Sequence, residues 1–316
     1  MGNDALVDRI RGASATVRSE RVTTIVVDRI GPYLLLAPVL LFVGVFLLYP
    51  ILRGLEMSVY RRSLLRPGQS AWVGLDHYQT IFGDPGTAVV LWNTLLWVLV
   101  VSVISIAIGF VAGWLLYHKI PYTSVAMGIT LIPWIVPGVV GATLWSFMFS
   151  VRVGVFNEMG VRLGLIDSYV SVLGSPEISM WGPVVGMIWR MFPLFALLTI
   201  TGLEGIDERL YEAAEVDGAT PWEKFRYITI PQMRYVLVIG ILLMAIFVVR
   251  DFEMIWVMTG GGPGVSSSTL PILAYREAFV NYNLGMGAAI STVLFVIVLA
   301  FSFVYLRVYS QIRGDF

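Results

Sequence analysis

The chain has 316 residues, 57% of them hydrophobic and 13% charged, with zero formal net charge and a mean hydropathy of +0.81. Soluble domains carry about 25% charged residues, so this composition excludes an ordinary globular surface and makes lipid the main solvent. Balanced charge gives no reason to expect a nucleic-acid partner, and the lack of cysteine excludes disulfides, thiolate catalysis and cysteine-ligated metals.

Residues 1–31 are polar and carry Arg9, Arg11, Arg18, Arg21 and Arg29. They read as a cytoplasmic tail. The short apolar core and cleavage site of a signal peptide are missing, and Leu6 stands where a myristoylation signal needs Ser or Thr. Six stretches then reach the roughly 20 apolar residues that a span requires: Pro32–Leu52, Val90–Tyr117, Val125–Phe149, Met180–Leu203, Tyr235–Met258 and Met286–Leu306. Only helices satisfy their own backbone in lipid without closing a barrel. The predicted fold is an all-α membrane protein with six transmembrane helices over residues 32–306 and a short tail at 307–316. With the N-terminus inside, cytoplasmic segments hold twelve Lys and Arg against seven in outer loops, so both termini are expected in the cytoplasm. Gly109 and Gly113 permit close helix approach in the second span. Pro133 and Pro137 are expected to bend the third, as a fixed kink or as a moving gate.

The loop 204–234 is the most polar stretch after the tail. Asp207 is placed to cap a helix through Leu210, Ala213, Ala214 and Val216, which Gly218 ends with a left-handed residue. Thr220, Pro221 and Glu223 predict a second start with a capping box. Trp222 and Phe225 have no core of their own in so short a loop. Two roles are open for them: interfacial anchors among lipid headgroups, or anchors of a protein–protein contact.

The run Glu212-Ala213-Ala214, then Gly218, then Ile228-Thr229-Ile230-Pro231 resembles the EAA motif of binding-protein-dependent ABC importer permeases, with Ile230 in place of the usual Leu. Asp217, Ala219, Trp222 and Phe225 fit its commonest form. The resemblance extends along the chain and is closest to the carbohydrate-uptake branch, which includes maltose, trehalose and glycerol-3-phosphate importers. It is carried by Tyr49-Pro50, by Val73 to Tyr78 with Phe82 and Asp84, by Asn93-Thr94-Leu95, by Pro133-Trp134 and Pro137, and by Thr259 to Pro263. It implies the six-helix bundle of a type I ABC importer permease. It also implies a coupling helix docked on ATPase subunits that hold ATP and Mg²⁺, a second permease that is usually a different chain, and an extracytoplasmic substrate-binding protein. That protein would deliver solute to the loops around Arg152–Asp167 and Thr259–Tyr282.

The chain's two lysines, Lys119 and Lys224, follow His118 and Glu223, so no Gly-Lys-Ser/Thr phosphate loop exists. The two histidines, His77 and His118, fall in loops expected on opposite faces and read as solvated. No cofactor, metal site or catalytic residue is therefore expected in this chain. Ionisable groups at membrane depth are functional candidates by default. Arg190, Arg250, Asp251 and Glu253 qualify, either as an internal ion pair or as the lining of a substrate path or its outer gate. Trp145, Trp189, Phe192, Phe247, Phe252 and Trp256 offer aromatic faces for a sugar ring. The competing class, a self-contained secondary transporter, would need a coupling carboxylate at mid-span and inverted repeats, and neither is evident.

Overall fold

The computed structural model describes residues 35–66, 68–118 and 122–314, so the tail expected over residues 1–31 lies outside the described residues. Two compact units divide at Glu56. The first holds most of an apolar helix, α1 (Leu35–Ser58), whose span window has no buried residue. Pro50 lacks the N–H that would bond to Phe46. Just before it the helix widens into a π-turn, Gly44–Leu48, closed by Tyr49 N–H on the Gly44 carbonyl.

The second unit opens with a hairpin of β1 (Tyr60–Arg61) and β2 (Ala71–Trp72), Tyr60 opposite Trp72, followed by α2 (Asp76–Gly83). Asp84 starts α3 (Pro85–Tyr117), accepting from the Thr87 amide at 2.7 Å, with Pro85 in the first turn. At 33 residues α3 is about 50 Å long, so it projects beyond a hydrocarbon core of about 30 Å. The third predicted span is two helices, α4 (Thr123–Ile135) and α5 (Gly138–Met148), bent by 93°. Pro133 and Pro137 each lack a donor there, as the sequence led us to expect. A connecting segment contains α6 (Val155–Arg162) and leads to α7 (Trp181–Glu204).

α3 and α7 form the central seam. A Cβ on Gly109 would lie 2.5 Å from the Phe192 carbonyl oxygen, and one on Gly113 would lie 2.5 Å from that of Ala196. Only glycine allows this approach. Trp97, Met187, Phe195, Met244, Met254 and Ile255 fill the surrounding core, each at most 1% exposed.

The fifth predicted span, read from sequence as continuous over Tyr235–Met258, is broken. After α8 (Glu208–Val216) and α9 (Pro221–Lys224), a π-turn at Phe225–Thr229 leads into α10 (Ile230–Val249), and the helix resumes as α11 (Glu253–Thr259). Two side chains account for the gap. The Trp97 indole N–H donates to the Val248 carbonyl at 2.8 Å, taking the acceptor that Phe252 N–H would otherwise use. The Asp251 carboxylate then accepts from the Met254 amide and restarts the helix. Beyond α11, residues 260–269 fold back onto α3, where the Asn93 amide donates to the carbonyls of Val265, Ser266 and Ser268. The Leu270 amide donates to the Thr94 hydroxyl at 3.0 Å. α12 (Leu270–Tyr275) and α13 (Leu284–Gly314) complete the chain.

The segment around α6 yields a pH prediction. The Tyr169 hydroxyl donates to Glu158 at 2.6 Å and Arg162 pairs with the same carboxylate. The hydrogen bond from Tyr169, then that from Arg162, holds the Glu158 carboxyl below its ordinary value of 4.5. A lowered carboxyl stabilises the native arrangement above its unfolded pKa, and that contribution is lost as pH falls through the folded value. Limited proteolysis between residues 163 and 170 should stay at its neutral level down to the ordinary carboxylate range and rise below it. Glu158→Gln should abolish that acid dependence.

Candidate functional site

Two regions gather the residues singled out by sequence. The first is the helix–turn–helix at the Tyr117 end of α3. The Asp207 carboxylate caps α8 by accepting from the Arg209 amide at 3.0 Å. Gly218 takes φ +78°, donating to the Glu215 carbonyl, while the Ala219 amide reaches the Ala214 carbonyl at 2.8 Å. Thr220 and Glu223 form a reciprocal capping box, the Thr220 amide lying 2.7 Å from the Glu223 carboxylate. Lys224 bridges back to Glu215 at 2.6 Å. The turn between the two helices is thus built from local chemistry, and α8 buries none of its residues. Glu212, Ala213, Asp217, Gly218 and Pro231 are exposed, Ala214 and Ala219 half-buried.

Trp222 is 68% exposed, whereas Phe225 turns inward against Phe110 and Trp114 of α3. Thr229, wholly buried, shares a 2.8 Å hydrogen bond with the Tyr211 hydroxyl. Phe110, Trp114 and Tyr211 were not among the residues chosen from sequence. The available signal was the spacing of Phe110 and Trp114, one helical turn apart and so on one face.

The second region lies where the bent span and the broken span meet α7. Arg190, on α7, points one guanidinium nitrogen at both acids of the break, 3.3 Å from Asp251 Oδ2 and 3.6 Å from Glu253 Oε2. The Asp251 side chain is 8% exposed. Gly138, the first residue of α5, lies directly against this pair: a Cβ there would run into the Glu253 carboxylate and lie 2.5 Å from Arg190 Nη1. The carboxylate therefore also faces the positive end of α5. Arg250 places its guanidinium 4.9 Å over the Phe247 ring and makes no ion pair among the described residues.

These groups line a cavity of about 320 Å³ formed by Met187, Arg190, Met191, Phe247, Arg250, Asp251, Phe252 and Glu253. Five of the six path residues proposed from sequence thus converge. Trp145 stands apart, its ring 5.9 Å from Phe149, 5.8 Å from Phe156 and edge-on to Trp189. The ion pair is itself part of the wall of this cavity. Its fixed donors and acceptors, beside two phenylalanine rings, can bind hydroxyl groups while leaving apolar ring faces covered.

His77 differs from expectation. It is 6% exposed rather than solvated, with Nε2 3.2 Å from the Tyr60 carbonyl. Among the described residues no group of three His, Asp or Glu could hold a metal ion.

Residues 105–313 match the family described as binding-protein-dependent transport system inner membrane component. The trehalose/maltose transport system permease protein MalF of Thermococcus litoralis is 34% identical over 290 residues, covering 90% of this chain and 94% of the relative. The sulfoquinovosyl glycerol transport system permease protein SmoG of Agrobacterium fabrum is 30% identical over 89% of this chain and 91% of its own length. Among solved structures, a chain of a bacterial ABC transporter for import of the acidic polysaccharide alginate superposes with a TM-score of 0.79 at 21% identity, covering 92% of this chain and 99% of that one. The fold, the span count and the breadth of these matches lead to one assignment: the chain belongs to the binding-protein-dependent transport system inner membrane component family, the multi-pass permeases of ABC importers.

Proposed function

We propose that the chain forms one half of the translocation path of an ATP-driven importer for a sugar or related solute, and that residues 204–234 couple it to separate ATPase subunits. The observation that carries this reading is the capped helix–turn–helix. α8 buries no residue fully, and with Tyr211 turned toward Thr229 it leaves most of its surface open to a partner. Glu212, Ala213, Ala214, Asp217, Gly218, Ala219 and Trp222 offer a small-residue surface with one aromatic anchor, suited to a groove on a partner. Phe225 and Pro231 set that surface on α3 and α10. ATP and Mg²⁺ belong to the ATPase subunits. A second permease, usually a different chain in this branch, completes the path.

Both termini lie in the cytoplasm in this reading, which puts the coupling segment inside and residues 150–179 and 259–285 outside, toward a substrate-binding protein. The cavity at Arg190 is the solute's station on the path, with Phe247, Arg250, Asp251 and Phe252 around it. The names of the relatives, trehalose/maltose and sulfoquinovosyl glycerol, support a saccharide class.

Gly218→Pro tests the coupling role. The site has φ +78°, which proline cannot adopt, and the substitution removes the amide bonded to Glu215, a local cost of about 3 kcal/mol or more. The expected result in proteoliposomes of the assembled importer is loss of uptake and of binding-protein-stimulated ATP hydrolysis. Unchanged uptake and stimulation, or purification in which no ATPase subunit accompanies the chain, would defeat the proposal.

A further inference from the structure

Resting on the reading of residues 204–234 as the coupling segment, we infer that its motion enters the spans sideways through four aromatic rings shared with α3, and not only along the chain into α10. Trp222 stacks on Phe225 with centroids 5.5 Å apart. Phe225 stands edge-on to Trp114 at 5.3 Å and to Phe110 at 6.1 Å. Phe110 and Trp114 are themselves 6.2 Å apart on one face of α3. The row runs from the exposed Trp222 to the half-buried rings of the helix.

Cavities flank the row on both sides. One, of about 630 Å³, lies toward Tyr117, Glu208 and Tyr211. The other, an apolar groove of about 410 Å³, lies toward Val111 and Leu115. Phe110, Trp114 and Tyr117 of α3 also pack on the buried cluster of Leu203, Ile206 and Met233 beside Tyr211 and Ile228, and the ring row is the part of this contact that extends to the exposed Trp222. Edge-to-face pairs hold a preferred geometry and resist sliding.

What lies beyond the rings is stiff. Gly109 and Gly113, on either side of Phe110, hold α3 in backbone contact with α7. A displacement of Trp114 therefore carries α7, and Arg190 stands on α7 beside the cavity. The chain route passes through the π-turn Phe225–Thr229, a widened stretch of helix. Phe110 and Trp114 are thus positioning residues that act on the cavity through α7.

The chain has no cysteine, so Phe247→Cys places its one thiol in the cavity. In the assembled importer in nanodiscs, the labelling rate of that thiol by a charged maleimide is measured without nucleotide and with ATP plus vanadate. Phe225→Ala and Trp114→Ala should each shrink the nucleotide-induced change about fivefold, the worth of one ring pair, while ATPase subunits still co-purify in the parent ratio. Combined, they should do little more than either alone, as members of one row must, and Trp114→Phe should restore most of the response. A parental response in the alanine variants overturns the inference. So does loss of the ATPase subunits, which would make the rings a docking surface, and so do independent, additive effects. If Trp114→Ala fails to assemble, Phe110→Ala tests the same row. Gly218→Pro with unchanged co-purification and labelling would instead sink the coupling reading itself, which separates the two failures.

Discussion

Arg190→Met should destabilise the permease by about 3–5 kcal/mol, the usual result of removing one partner from a buried ion pair. Arg190 is shared by Asp251 at 3.3 Å and Glu253 at 3.6 Å, and the Asp251 side chain is almost wholly withdrawn from solvent. Methionine retains the stem's packing but leaves two carboxylates facing each other. Thermal unfolding of the purified protein in detergent measures the loss. The informative comparison is Arg190→Met combined with Asp251→Asn, which should recover a large part of it because no uncompensated buried charge remains. A double variant as unstable as the sum of the singles would show that the pair is not coupled.

Gly109→Leu should be at least as damaging to assembly. Even a Cβ at this position would sit 2.5 Å from the Phe192 carbonyl oxygen and 2.7 Å from Phe195 Cβ. The obstruction is backbone, which cannot rotate away, so the cost lies at or above the upper end of overpacking, about 3 kcal/mol. Folded protein recovered after extraction, measured by size-exclusion chromatography, should collapse for Gly109→Leu and fall clearly for Gly109→Ala. Gly128→Ala is the control, since nothing lies within 4 Å of its Cβ position. Normal recovery of Gly109→Leu would mean that α3 and α7 do not meet along this seam.

Five of the predicted spans were legible because each carries enough apolar residues to declare itself against lipid, whereas the third is a pair of helices bent by 93° that makes a sixth only if the pair is counted as one span. The caps at Asp207, Gly218 and Thr220 were legible because their geometry is local, needing only residues three or four apart. The bend at Pro133 and Pro137 declared itself through missing donors. The break after Val249 did not. It depends on Trp97, 151 positions away, reaching the Val248 carbonyl, and no local pattern encodes that partner. Asp251 and Arg250 were visible as charges at membrane depth, yet their roles differ: one is bound to Arg190 and the other is laid over Phe247. His77 was misjudged because its acceptor is a hairpin carbonyl seventeen positions earlier. The convergence on Arg190 of the bent span and the broken one likewise requires three helices to be placed in space.

The interruption after Val249 has a mechanical consequence. In an unbroken helix surrounded by hydrocarbon, bending tears backbone hydrogen bonds that no water is present to replace. Here that rupture is built in at folding, because the Val248 carbonyl is held by indole and the Met254 amide by carboxylate, at 2.8 Å and 3.2 Å. Across residues 250–252 the backbone keeps a turn bond, from the Asp251 amide to the Val248 carbonyl at 3.2 Å, in place of a continuous ladder between α10 and α11. The joint is pre-cut and its ends are sealed, so it is held by two side chains and one turn bond where a full helical ladder would otherwise run.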